Sequence, residues 1–273
     1  MHIGIKAEPT AIAIDIAVLA RRAEELGFES LWTPEHPVLP VNTSIDVPRE
    51  YGDYVDPFVA LARASAVTTI LKLGTGICLI PERNPLLLAK EVASLDVVSG
   101  GRFILGIGVG SIREETDIMG GDFDHRWTQA REAVEVMKTL WTEKEAEFHG
   151  NYYDFPPLYS FPKPVQHPHP PVILGGTSPN VFKRIAQWGD GWIPINVTPE
   201  DIGPGRRQLD ELALAAGRDP ASLHITVFEP PADRDLIAGY AAAGADRVVL
   251  RPTAESEELV LAEIEQMAAW ACE

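Results

Sequence analysis

Eight strand-like segments, each followed by a helical pattern, run the length of the chain and limit the folds it can adopt. Most are apolar on both faces, as buried parallel strands are. In order, the segments are HIGIKA, FESLWT, LKLGTGI, RFILGIGV, PVILGG, GWIPI, LHITVFE and DRVVLRP. This alternation predicts an α/β fold, a closed (β/α)8 TIM barrel, as a single domain over residues 1–273. The alternative is an open doubly wound sheet, which usually has about five to seven strands.

Capping residues followed by proline mark the starts of several predicted helices. They are Asp56-Pro57, Asn84-Pro85, Ser178-Pro179 and Thr198-Pro199. A longer helix is predicted from about Asp124 to Trp141, because apolar residues recur along it at spacings of three and four. Its single apolar stripe indicates packing against the sheet rather than a surface for a partner protein.

Composition restricts the partners and the compartment. No apolar run approaches the ~18 residues of a membrane span, and the first residues lack the pattern of a secretory signal, so we expect a soluble, cytoplasmic protein. A formal net charge of -17 disfavours nucleic acid and anionic membranes as partners. Cys78 and Cys272 lie too far apart in the sequence to form a metal or redox motif.

A segment rich in proline and aromatic residues, about 145–171, precedes the fifth barrel strand. We interpret it as an irregular insertion packed on the barrel, because it is too short for a domain. His149, His167 and His169 raise the question of a metal site. Helix-to-strand loops open on the face opposite the usual active site, and no carboxylate cluster accompanies these histidines, so no metal is predicted.

The fourth strand, within GRFILGIGVGS at residues 101–111, contains three alternating glycines. The spacing does not match a dinucleotide fingerprint or a P-loop. By strand parity, Ile104, Gly106, Gly108 and Gly110 share one face, while the opposite face is apolar enough to contact the outer helices. The glycine face then points into the barrel, and the missing side chains predict space for a planar ligand at the mouth. A tight barrel corner without a ligand is the alternative.

Other motifs fall at the same end of the barrel. Gly74 and Gly76 flank Thr75 where the third strand ends, which suits a bulge. The stretch Gly175-Gly176-Thr177-Ser178 precedes a predicted helix start and favours phosphate binding over a simple turn. Glu35 and His36 follow the second strand and reach the same rim, where a histidine is well placed for chemistry.

These motifs together resemble the luciferase-like flavin and deazaflavin oxidoreductase superfamily. The resemblance rests mainly on LGTGICLIPERNPLLLAKEVASLDVVSGGRFILGIGVG at residues 73–110. FHGNYYDFPP, KPVQHPHPPVILGGTSP and GDGWIPI support it, and together they cover nearly the whole chain. The branch that the sequence resembles most is the one that uses coenzyme F420, with FMN-dependent monooxygenases close behind.

The resemblance implies where a cofactor binds. It implies a luciferase-like TIM barrel with an insertion before strand 5, a cis peptide bulge at Gly76-Ile77 beside Thr75 behind the cofactor ring, and a homodimer. Gly108 and Gly110 would line the mouth. The cofactor phosphate would bind the loop Gly175, Gly176, Thr177 and Ser178. His36, helped by Glu35, would contact the ring or substrate as the catalytic residue.

The sequence departs from the deazaflavin-dependent sugar-phosphate dehydrogenases of this superfamily at one position. These enzymes carry an acidic residue directly after the fourth-strand glycines, where this chain has Ser111. A serine is not a general acid near neutral pH, so sugar-phosphate oxidation is disfavoured. Glu114 lies close enough in the sequence to take its place.

The predicted function is F420-dependent hydride transfer to or from a small organic substrate. A deazaflavin has carbon where flavin has N5, so it passes hydride but does not readily activate oxygen. The first alternative is an FMN-dependent monooxygenase that uses oxygen. The second is a non-catalytic, flavin-binding barrel, which the intact glycine motifs disfavour. Trp32, Leu39, Trp192 and Phe228 are consistent either with an apolar substrate pocket or with core.

Overall fold

The computed structural model describes residues 1–10 and 13–271. Cys272, discussed above, lies outside them, and Cys78 is buried and unpaired. The strands are β1 His2–Lys6, β2 Ser30–Thr33, β3 Lys72–Thr75, β4 Cys78–Leu79, β5 Phe103–Gly108, β6 Ala146–His149, β7 Asp154–Leu158, β8 Val172–Gly175, β9 Gly191–Ile193, β10 His224–Phe228 and β11 Arg247–Leu250. The α-helices are α1 Ile16–Glu25, α2 Pro57–Ser65, α3 Pro85–Ser99, α4 Arg113–Ile118, α5 Arg126–Thr142, α6 Val181–Trp188, α7 Pro199–Ala215, α8 Arg234–Ala242 and α9 Glu257–Ala271.

Eight parallel strands close into a barrel, which confirms the predicted (β/α)8 fold. The ring runs β1, β2, β3, β5, β8, β9, β10 and β11, and it closes because β1 pairs with β11. Strand β4 follows β3 after a two-residue break and pairs with the carboxyl-terminal end of β5. Each of the eight predicted segments contains one barrel strand. No helix in the described residues is long and apolar enough to cross a membrane.

Three of the four predicted helix starts are confirmed. The side chain of Asp56 accepts hydrogen bonds from two amides at the start of α2, and Asn84 does the same for α3. Thr198 forms a reciprocal capping box at the start of α7. The prediction for Ser178-Pro179 is wrong: these residues form a turn in which the Ser178 carbonyl accepts from the Val181 amide, so α6 begins later.

The segment between β5 and β8 is more regular than expected. Helix α5 lies close to its predicted position and buries Ala130, Val134, Met137 and Trp141 of the predicted stripe, whereas Trp127 is half-buried. The short helix α4 in front of it was not predicted. The insertion at 145–171 is not wholly irregular, because β6 and β7 form an antiparallel hairpin. Two of its histidines make local contacts: His149 bonds to Asp154 at 2.6 Å, and His169 packs on Trp141.

The side chains of β5 point alternately to the outer helices and to the barrel interior, as strand parity predicts. Phe103, Leu105 and Ile107 belong to the main core between the barrel and its helices. Ile104 points inward and joins a small interior cluster with Trp32 and Phe228, whose rings meet edge to face at 5.9 Å. These two aromatic side chains are therefore core rather than walls of an open pocket.

Protein atoms fill the space beside two glycines of β5, so the expectation of open space is wrong at Gly106, whereas Gly108 still lines a cavity at the barrel mouth. A Cβ atom at Gly106 would lie 2.1 Å from the Thr75 carbonyl oxygen and 2.8 Å from Ile193 Cδ1. At Gly108 it would lie 2.0 Å from Ile77 Cδ1. The reason is the bulge after β3, which brings residues 75–77 against β5. The glycines are needed for this close approach of two backbones.

Gly106→Ala should lower the free energy of unfolding by about 1–3 kcal/mol, because the new methyl group collides with a backbone carbonyl that cannot move aside. Urea denaturation would measure the change. Gly203→Ala in α7 is the control: its Cβ meets only an Arg207 nitrogen at 3.6 Å, and because Pro204 follows it and offsets the usual gain of alanine in a helix, stability should change by less than about 1 kcal/mol. Equal stability of the two variants would contradict the packing described here.

Candidate active site

A cavity of about 330 Å³ opens at the carboxyl ends of the barrel strands. The glycines that line it are Gly76, Gly108, Gly110, Gly175 and Gly176, together with Ile77. His36, Glu35, Tyr51, Tyr54 and Trp127 complete most of its wall. The structure thus brings together most of the predicted site residues at the face where TIM barrels carry their active sites. Thr75, Thr177 and Ser178 do not line this cavity.

The back of the cavity is built by the break between β3 and β4. The peptide bond between Gly76 and Ile77 is cis, which confirms that expectation. Thr75 is fully buried and its hydroxyl donates to the Gly106 carbonyl at 2.7 Å. Thr75 therefore anchors the bulge to β5, while Ile77 presents its side chain to the cavity.

The His36 imidazole is hydrogen-bonded to a carboxylate that was not among the predicted site residues. Its Nδ1 lies 2.9 Å from Oε2 and 3.1 Å from Oε1 of Glu115, a fully buried side chain of α4. A carboxylate at Nδ1 favours the imidazole form with the proton on that nitrogen. The opposite nitrogen, Nε2, is then the one available to a ligand in the cavity.

Two tyrosines form an aromatic stack with the histidine. The ring of Tyr51 lies 5.2 Å from that of His36 at an angle of 17°, and Tyr54 stacks on Tyr51 at 5.3 Å. Burial raises the pKa of the Tyr54 phenol, and the Glu8 carboxylate adds to this effect, so Tyr54 is a neutral hydroxyl. The stack fixes the plane of the imidazole as well as its hydrogen bond.

Glu35 lies in the wall but its oxygens are engaged by protein groups. Oε2 accepts from the Leu79 amide at 2.7 Å, and Oε1 accepts from Arg83 Nε at 2.6 Å. Arg83 also contacts Asp56 and Glu91. These contacts attach β4 to the loop after β2. A catalytic role for Glu35 stays a prediction, and its geometry is that of a residue that positions the bulge.

The loop after β8 combines an open backbone with a cation. Gly176 has φ +104°, and no atom lies within 4 Å of the position a Cβ would take. Arg184 of α6 donates to the Ser178 hydroxyl at 2.9 Å, and its guanidinium lies 4.3 Å from the centre of the Trp127 ring. Burial lowers the pKa of Arg184, and no carboxylate of the described residues forms a salt bridge with it.

The acidic residue proposed to replace the family's catalytic acid does not reach the site. Glu114 is half-buried and does not line the cavity, and its carboxylate accepts from the Ser44 amide at 2.9 Å. Its neighbour Glu115 is the buried acid. The helical phase of α4 distinguishes the two, and the sequence analysis had no helix there. Arg184 was not predicted, because its contacts with Ser178 and with Trp127 of α5 are tertiary and carry no local sequence signal.

Fold and site together define an α/β-barrel enzyme with a ligand cavity at the carboxyl mouth. The sequence model of the luciferase-like monooxygenase family matches residues 6–246. The chain belongs to that family and is an oxidoreductase of the luciferase-like class.

Similar proteins agree with this assignment. An uncharacterised protein of Mycobacterium tuberculosis is 36% identical, and the match covers 98% of each chain. The solved structure of a monooxygenase from Streptomyces bottropensis superposes with a TM-score of 0.81 at 23% identity, covering 99% of this chain and 98% of that one. A coenzyme F420 dependent tetrahydromethanopterin reductase from Methanopyrus kandleri gives a TM-score of 0.78 at 21% identity, with 97% of both chains covered. The two structures support the fold.

Arg83→Met should destabilise the protein by about 3–5 kcal/mol, because it leaves the Glu35 carboxylate buried without its cation. Chemical denaturation at neutral pH is the measurement. The double variant Glu35→Gln/Arg83→Met should recover part of the loss. As a control, Arg63→Ala removes a surface pair with Asp15 and should cost at most about 1 kcal/mol. If Arg83→Met and Arg63→Ala lower the free energy of unfolding equally little, the Glu35–Arg83 pair does not stabilise the site.

Proposed function

We propose that this protein binds the deazaflavin F420 in the mouth cavity and catalyses hydride transfer to or from a small organic substrate. The observation that carries the proposal is the cavity itself. The cis Gly76-Ile77 segment lies behind it, Gly175 and Gly176 form one wall, and the imidazole of His36 lies at its rim.

The residues present fit a flat redox cofactor. A volume of about 330 Å³ is within the ~300–1,000 Å³ of small-molecule sites. Backbone rather than side chains forms much of the wall, so a planar ring system can approach closely. The open space at Gly176 leaves room beside the loop for a bulkier group. When bound, the deazaflavin supplies the hydride chemistry, and the protein supplies binding, orientation and proton handling.

His36 is the residue we assign to proton transfer. Its Nε2 side belongs to the cavity, and its Nδ1 is bonded to Glu115. Hydride transfer to a carbonyl requires a proton on the oxygen, and the reverse reaction requires its removal. An imidazole held by a carboxylate and an aromatic stack can do either at a fixed position.

A phosphate group of the cofactor would bind at the loop after β8. The Gly175, Gly176, Thr177 and Ser178 backbone and hydroxyls are the proposed ligands, with Arg184 as the cation. An unpaired, half-buried guanidinium is costly unless an anion compensates it. This argument applies to F420 and to FMN, which both carry a phosphate.

F420 is preferred because the sequence resembles the F420 branch most, and similarity to the F420 dependent reductase is compatible with it. Similarity to a monooxygenase keeps reduced FMN with oxygen as the second candidate. By the same resemblance we propose a homodimer that acts on a small-molecule substrate, and from the sequence pattern we propose a cytoplasmic location.

Spectral titration with F420 and with FMN, each oxidised and reduced, tests the proposal. We expect F420 to bind more tightly than FMN. Arg184→Ala should raise the Kd for the cofactor by about 10- to 100-fold, because a charge-assisted hydrogen bond is lost. Lys183→Ala is the matched control, because it removes the same charge from the exposed neighbour on α6. Tighter binding of FMN with oxygen uptake would favour the monooxygenase, and binding of neither would refute a cofactor site.

His36→Ala should lower kcat by about 10²- to 10⁴-fold with any substrate that the wild-type protein turns over. Cofactor affinity should change far less than kcat, because the proposed role of the imidazole is proton transfer and the proposed phosphate ligands lie in the loop after β8. His125→Ala, which removes an exposed histidine paired with Asp122, is the control. Full activity of the His36→Ala variant would remove this residue from the mechanism.

A further inference from the structure

A buried lysine at the barrel mouth has no role in the function proposed so far. Ile3 and Ile5 of β1 belong to the core under the helices, so strand parity turns Lys6 toward the barrel interior. Lys6 is the last residue of β1, is only 7% exposed, and lines the same cavity as His36. A lysine is almost never buried unless it is paired, so this position requires an explanation.

Two carboxylates bind the ammonium group of Lys6. Its Nζ lies 2.7 Å from Glu8 Oε1 and 2.7 Å from Glu229 Oε1. Glu229 has φ +55°, a left-handed conformation that is unfavourable for glutamate, so the fold keeps this side chain in place against backbone strain. Arg251 lies 2.9 Å from Glu8 Oε2 and 3.8 Å from Glu229 Oε2. The cluster therefore combines two basic and two acidic side chains and has no net formal charge.

One N–H of Lys6 is left for a ligand. An ammonium group has three N–H donors, and Glu8 and Glu229 accept from two of them. In the part of the chain that the structure describes, Nζ has no third acceptor. Because Lys6 lines the cavity, we expect the third donor to be available to an oxygen atom of a bound molecule.

Lys6 also lines a second cavity, of about 590 Å³, which adjoins the first. Tyr51 and Tyr54 line both cavities, so the two rings and Lys6 form the boundary between them. Cofactor and substrate must lie side by side for hydride transfer, and the second cavity offers space next to the one that we assign to the cofactor. Much of its described wall is apolar and includes Ile14, Leu19, Pro48, Pro252 and Val260.

The charged residues of the second cavity disfavour an anionic ligand. Its two basic side chains, Lys6 and Arg251, are already engaged by carboxylates. Its acidic side chains are Glu8, Glu50 and Glu255, so formal negative charge is in excess even before Glu229 is counted. A carboxylate or phosphate would meet like charge here, whereas an uncharged oxygen can accept from Lys6 without repulsion.

We propose that the second cavity binds the substrate and that Lys6 donates a hydrogen bond to an uncharged oxygen atom of it. The substrate class is a ketone or alcohol with an apolar body, which the apolar wall accommodates. Tyr51 stacks on His36 at 5.2 Å, so the boundary that holds the oxygen also holds the group assigned to proton transfer. The inference rests on the proposed function, because it assigns the substrate of that same site.

Binding of acetophenone and benzoate, a ketone and an acid of similar shape, tests the assignment. Ligand-observed NMR titration of the protein without cofactor measures both dissociation constants. We expect the wild-type protein to bind acetophenone at least about 10-fold more tightly than benzoate, because the acid meets like charge. Lys6→Met keeps the length of the side chain but removes the donor, so the Kd for acetophenone should rise about 10-fold.

Glu8→Gln tests the charge balance separately. The substitution keeps the shape and removes one of the two carboxylates on Lys6, so benzoate should bind about 10-fold more tightly than to the wild type. The Kd for acetophenone should change little. Glu25→Gln is the matched control, because it removes the same charge from an exposed side chain of α1 that lines neither cavity. If Lys6→Met does not fold, Glu8→Gln and its control still decide the question.

A crystal soaked with 4-bromoacetophenone locates the probe through the anomalous signal of bromine. We expect the ring in the second cavity and the ketone oxygen within hydrogen-bond distance of Lys6 Nζ. The proposal is overturned if acetophenone does not bind or binds no more tightly than benzoate, if the bromine lies elsewhere, or if Lys6→Met has no effect. Equal effects of Glu8→Gln and Glu25→Gln also overturn it. No cofactor is present in these titrations, so their failure is distinguishable from failure of the cofactor titration.

Discussion

The close contact between β5 and the bulge after β3 is the constraint on which the rest of the molecule depends. Backbone at Thr75 lies where a side chain of residue 106 would be, and the Thr75 hydroxyl donates to the Gly106 carbonyl. This contact joins β3 to β5, and the Gly76–Ile77 segment that follows it lines the mouth. Without it there is no flat back wall, and the aromatic pair in the barrel interior has no cover.

Buried charge is the second organising feature. Three glutamates, Glu35, Glu82 and Glu115, are buried beside the cavity, and each has a different neighbour. Glu35 is paired with the Arg83 guanidinium, Glu115 bonds to the His36 imidazole, and burial raises the pKa of the Glu82 carboxyl, whose Oε1 accepts from the Thr116 hydroxyl. A carboxyl group taken out of water is costly unless it is paired or hydrogen-bonded, so these neighbours determine how each acid is accommodated. Glu115 does not line the cavity, so the imidazole is held by a group behind the wall.

The strand faces and most helix starts were predicted correctly from the sequence, because they depend on local residue patterns. Two side chains near the site were not predicted, because their roles depend on contacts between separate elements. Strand parity identified the inward face of β5, and the capping pairs located α2, α3 and α7, because local chemistry determines both. Gly106 was assigned to the right face but to the wrong occupant, since the bulge that fills the space comes from another strand. Glu115 was not found because helix α4 was not predicted, and Arg184 was not found because its contact with Trp127 joins two separate helices.

The two adjacent glutamates of α4 hold the loop after β2 at two separate points. Glu115 holds His36 at its beginning, and Glu114 holds Ser44 further along. Between these points lies an exposed stretch that includes Val41, with 94% of its surface accessible. Because both attachments are made by α4, residues of this stretch can be replaced while the hydrogen bond that orients the imidazole is kept.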